Sequence, residues 1–68
     1  MKTYYATIVA HHKDDHDILY VQTQADNLFI AHRLVQAYLK GRNVMGSWVP
    51  EISSIGERKT RSAAYIKL

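Results

Sequence analysis

The chain has 68 residues, 47% of them hydrophobic, with no cysteine and a formal net charge of +3. That length allows a single domain over residues 1–68 with a thin core and no disulfides, because a domain of about 60 residues buries only about 60% of the surface its unfolded chain exposes. Charge is unevenly spread. Lys13 to Asp17 holds one Lys against three Asp, whereas Arg33 to the end holds seven basic residues against two acidic ones, Glu51 and Glu57; such a basic half attracts nucleic acid or an acidic protein surface.

Tyr4 to Ala10 is aromatic and β-branched, and Ile18 to Thr23 repeats that character, which predicts two strands. Between them, His11-His12-Lys13-Asp14-Asp15-His16-Asp17 is polar without apolar periodicity and reads as a hairpin loop. Thr23 followed by Asp26 is a variant capping box, so a helix is expected to begin there. Leu28, Ala31, Val35, Tyr38 and Leu39 fall on one helical stripe. Gly41 suits a left-handed close, and Lys40 and Arg42 favour the carboxyl end of the helix macrodipole.

A turn-rich connection follows, with Val44, Met45, Trp48 and Val49 as its apolar members, and Trp48 is expected to cover the helix end. A third strand is expected at Glu51 to Ile55, with Ile52 and Ser54 on one face. After a charged turn from Gly56 to Arg61, a fourth strand over Ala63 to Leu68 is expected to pair with the third. The predicted fold class is therefore α+β. It is a small antiparallel sheet of three or four strands in β-β-α-β-β order, with one helix packed on one face and the other face left in water. The crossover from the second strand through the helix makes the third strand run parallel to one of the first two.

Lack of cysteine fits a reducing compartment, and the amino terminus has no apolar run of signal-peptide length. No stretch approaches the roughly 20 apolar residues of a membrane span, so a cytoplasmic protein with no membrane partner is expected. The His/Asp loop holds the one cluster with metal-ligand chemistry, centred on His11, His12 and His16. A short loop seldom fixes ligands rigidly, so a solvated hairpin tip is expected and neither a metal nor another cofactor is assigned. Ser53, Ser54 and Ser62 lack a nucleophile-elbow setting, and Gly41, Gly46 and Gly56 form neither a Rossmann fingerprint nor a P-loop. No catalytic residue is assigned and the protein is expected not to be an enzyme.

Phe29, Arg33, Gln36 and Lys40 line up on the helix face away from the apolar stripe, and aromatic and Arg side chains are enriched in binding hot spots. A second basic cluster comprises Arg58, Lys59 and Arg61, with Lys67 farther on. These seven residues, Phe29, Arg33, Gln36, Lys40, Arg58, Lys59 and Arg61, are the candidate partner-binding set. Tyr4, Tyr5, Tyr20 and Tyr65 are expected mainly to pack the sheet. In the alternative reading, a small nucleic-acid-binding module, the basic turn meets phosphates and exposed tyrosines stack on bases.

Tyr5-Ala6-Thr7-Ile8-Val9, Tyr20-Val21-Gln22-Thr23, a capped helix and the strand around Ile52 give residues 4–56 a spacing that resembles a group of very small bacteriophage inhibitor proteins. The group includes the phage inhibitor of bacterial RNA polymerase and anti-CRISPR proteins that occupy the DNA-binding channel of type I surveillance complexes. The resemblance implies an inhibitor docking on a host nucleic-acid-processing or CRISPR defence complex, with a protein partner that is part of a nucleoprotein assembly. Inhibition of RNA polymerase is a second alternative; Glu57-Arg58-Lys59 falls just after the segment comparable to that inhibitor's charged strand, although that inhibitor is the more acidic protein. A homodimer through sheet extension is a further expectation for a chain with so small a core.

Overall fold

The computed structural model describes residues 1–41, 48–60 and 64–68. Its elements follow the order β1 (Lys2–His12), β2 (Asp15–Ala25), α1 (Leu28–Gly41), β3 (Val49–Gly56) and β4 (Ile66–Lys67). The described strands form one four-stranded sheet in the order β3-β1-β2-β4, which makes this the α+β domain expected. The sheet is mixed: β1 is antiparallel to β2 and β3, whereas β4 is parallel to β2. Since β1 lies between β2 and β3 and opposes both, those two run in the same direction, as a crossover connection requires.

β1 and β2 stay in unbroken register from Lys2↔Ala25 to His12↔Asp15. The expected hairpin loop is therefore mostly strand, and its turn shrinks to Lys13 and Asp14. Charged and imidazole side chains do not prevent pairing where both faces of a ladder's end are open to water. Lys13 lies at φ 55°, a left-handed conformation that L residues adopt at some steric cost.

Alternation along β1 sets the two faces. Tyr4, Ala6, Ile8 and Ala10 are buried, and Val21, Thr23 and Ala25 of β2 are buried beside them. Val35 of α1 packs with Ala6, Ile8 and Val21, with Leu19, Tyr38, Leu39, Ile52 and Ile55 around them. Ala31 packs with Tyr4 and Ala25. Tyr4 is thus a core residue, and Ala31, Val35, Tyr38 and Leu39 face inward as their spacing predicts. Leu28, the first residue of α1, departs from that stripe and is half exposed.

Several boundaries differ from those read in the sequence. Thr23 is not a cap but a buried β2 residue, 5% exposed, because pairing with β1 carries the strand on to Ala25. Asn27 starts the helix instead: its Oδ1 accepts from the Ile30 amide at 2.9 Å, and its carbonyl accepts from Ala31 N at 3.1 Å. Gly41 ends the described part of α1 without a positive φ, so no left-handed close is made there.

In β3 the pairing with β1 slips between Thr7 and Ile8, where Ser53 is the extra residue. Ile52 opposes Ile8 on the helix side and Ser54 opposes Thr7 on the other, so the two do not share a face. β4 is shorter than expected and pairs with β2 rather than β3, through Val21↔Ile66 and Gln22↔Lys67. The Leu68 amide adds a 2.9 Å bond to the Gln22 carbonyl. Among the described residues no helix is long and apolar enough to cross a membrane.

Candidate functional site

α1 gives the outer surface of the molecule on one side of the sheet. Phe29 is 70% exposed, and the Arg33 guanidinium lies 5.9 Å from its ring centroid. Gln36 and Lys40 border a depression completed by Leu39, Pro50 and Ile52, where the helix meets edge strand β3. On the other flank, Ile30, Leu34 and Ala37 form a second apolar row next to Arg33. Leu34 and Ala37 continue into a wider concave surface shared with Met1, Tyr38, Lys67 and Leu68. Leu28, Phe29, Ile30 and Leu34 are 48, 70, 40 and 42% exposed. A helix that only covered a sheet would bury one stripe and present polar residues elsewhere.

The opposite sheet face carries Tyr5 and Thr7 of β1, with Gln22 and Tyr20 as their β2 register partners. Tyr65 lies against this face: its ring centroid is 5.1 Å from Tyr5 and 5.7 Å from Tyr20, both edge-to-face. The Lys59 ammonium lies over the Tyr5 ring at 5.6 Å and over Tyr65 at 5.9 Å. Thr60 holds this segment down, its amide donating to the Tyr65 hydroxyl at 3.2 Å and its hydroxyl 3.5 Å from that of Thr7. Arg58 borders a shallow depression with Tyr5, Ser54, Ile55, Gly56, Glu57 and Thr60. Glu57 is 4.0 Å from the Lys2 ammonium, with both side chains more than half exposed, an ion pair of small energetic weight.

The candidate residues thus fall into two groups. Phe29, Arg33, Gln36 and Lys40 share the outside of α1, whereas Lys59 lies across the sheet from them over Tyr5. Arg58 borders the Tyr5 depression as well. Arg61, like Arg42, lies outside the described residues. Spacing within α1 was enough to place the first group. The division arises from alternation along β1, which sends Tyr4 inward and Tyr5 outward.

At the hairpin end, His11 and His16 are register partners on one face, and His12 and Asp15 are partners on the other. His11 Nε2 is 3.4 Å from Glu51 Oε2 of β3, and the His12 ring lies 5.2 Å from Trp48. Trp48, expected to cover the helix end, meets the hairpin end through this contact with His12. Among the described residues no three His, Cys, Asp or Glu side chains are grouped to hold a metal ion; strand alternation divides the imidazoles that sequence proximity brings together. Ile30 and Leu34 were the functional candidates the single-stripe reading missed. Their signal was an apolar content from Leu28 to Val35 too high for one face.

Comparison with known proteins gave no significant match to a family model, a curated protein or a solved structure.

Proposed function

We propose that this protein is a non-enzymatic binding protein that docks on a protein partner through the outer face of α1. One observation carries the reading: Phe29, Ile30 and Leu34 are all large, apolar and at least 40% exposed on the side of the 14-residue α1 turned away from Ala31 and Val35. Arg33 and Lys40 interrupt this surface with positive charge. Such a face suits an apolar groove with an acidic rim, the mode in which an amphipathic helix lies in a partner's cleft. Phe29 with Arg33 against its ring supplies the aromatic and guanidinium anchors typical of the centre of such interfaces.

In its narrower form this is a phage-type inhibitor acting in the bacterial cytoplasm, docking on a nucleic-acid-processing or CRISPR defence complex and blocking it. The support for that form is the resemblance in spacing over residues 4–56, and RNA polymerase is the alternative target within it. Affinity capture from a bacterial lysate, with the wild-type chain and the Phe29→Ala/Arg33→Ala variant side by side, tests both levels. The variant should keep its circular dichroism spectrum, because both side chains project from the surface. Its affinity for the captured partner should drop by at least about 30-fold, equivalent to about 2 kcal/mol. Unchanged affinity would remove α1 as the docking surface, and a captured partner unrelated to nucleic-acid processing would remove the inhibitor reading alone.

A further inference from the structure

We propose that the sheet face opposite α1 binds single-stranded nucleic acid, with Tyr5, Tyr20 and Tyr65 as stacking surfaces for bases and Lys59 as a cation that leaves their ring faces to meet phosphate. The hydrophobic clusters that hold the fold lie on the other side of the sheet, around Val35 and Ala31. Three aromatic rings on the outer face are therefore not needed to bury α1. They are only partly covered, and lie edge to face at 5.1 and 5.7 Å, so their planes are turned in different directions.

Lys59 links the rings to charge. Its ammonium lies 5.6 and 5.9 Å from the centroids of Tyr5 and Tyr65. An exposed cation–π contact is weak, whereas a stacked base gains more from the same ring and the released ammonium gains a phosphate. The placement of one cation over two rings thus suits an exchange in which ring and cation each receive the part of a nucleotide that fits it. Arg58 adds a second cation beside Tyr5, and Thr7 and Gln22 add hydrogen-bonding groups next to the rings. Among the described residues Glu57 is the one acidic residue bordering that depression, and Lys2 stands 4.0 Å from it.

The occupant is a single strand because a sheet face reads unstacked bases through ring planes, and stacking is closed to bases inside a duplex. A purely acidic protein surface would engage Lys59 and Arg58 but leave the rings unused. This face is turned away from Phe29, so nucleic-acid binding here and partner docking on α1 succeed or fail independently.

Fluorescence anisotropy of the 68-residue chain with mixed-sequence single-stranded DNA and RNA of about 12 nucleotides, within the usual site-size range, tests the proposal. Binding should weaken with salt at a log–log slope of about −1.4 to −2, as expected for two or three phosphate contacts. A duplex of equal length should bind more weakly. Lys59→Gln should reduce the slope by about 0.7, and Tyr20→Leu should lower affinity about 5- to 150-fold. Photocrosslinking with bromouracil-substituted strands gives a readout on the wild-type chain, free of any folding defect in a variant; adducts are expected at Tyr5, Tyr20 or Tyr65. The proposal is overturned by absence of binding at low salt, by equal binding of the duplex, or by adducts confined to α1. Displacement by polyglutamate combined with indifference to Tyr20→Leu would assign the face to an acidic protein instead.

Discussion

Asn27 holds the beginning of α1, its side-chain oxygen 2.9 Å from the Ile30 amide. Three residues in the approach to the helix, Thr23, Asp26 and Asn27, have capping side chains, and their order of preference is too shallow to choose among them. Strand length makes the choice: once Lys2 pairs with Ala25, the chain leaves the sheet beyond Thr23 and Asn27 is the residue in reach of the first turn. Asn27→Ala should cost about 1 kcal/mol of stability, measurable as a lower urea midpoint at unchanged slope, while Thr23→Ala should not behave as a cap loss. An Asn27→Ala midpoint equal to wild type would show that the cap contributes nothing.

At the scale of elements, β1 alternates large and small on its buried side: Tyr4, Ala6, Ile8, Ala10. Ala31 of α1 is also fully buried, so small residues on both elements let the helix axis approach the sheet closely. Ala6→Leu should therefore overpack the contact with Val35 and destabilise the domain by about 1–3 kcal/mol, seen as a lower melting temperature. A neutral result would mean that the helix is free to shift. The strand pattern and the Ala31/Val35/Tyr38/Leu39 stripe were legible because each element has one period and one buried face. Less legible was β3, since the extra Ser53 changes the phase midway and moves Ser54 to the face opposite Ile52. The partner of β4 was not legible at all, since a two-residue strand carries no pattern that would choose β2 over β3.

The whole molecule has two differently built sides, a helix with apolar and cationic groups outside and a sheet face with tyrosines and Lys59. The described candidate residues come from both sides, Phe29, Arg33, Gln36 and Lys40 from the helix and Arg58 and Lys59 from beside Tyr5. Linear distance cannot show that Arg33 and Lys59 are separated by the sheet; only the parity of Tyr4 and Tyr5 along β1 does. Edges of that sheet carry their own consequence. β1 lines one edge of β2 throughout, but along the opposite edge, from Asp15 to Leu19, no described strand pairs with β2. There the Ile18 amide donates to its neighbour's Asp17 Oδ1 at 2.9 Å instead of to another strand. Charged side chains and engaged amides are how exposed edges escape chain-to-chain growth. Asp15 and Asp17, part of the cluster with metal-ligand chemistry in the sequence, thus give this edge the charge that opposes fibril formation. Asp15→Asn/Asp17→Asn should give concentration-dependent light scattering and dye-binding aggregates where the parent chain stays dispersed; equal dispersal of both would assign that protection to Pro50, Glu51 or the bulged opposite rim.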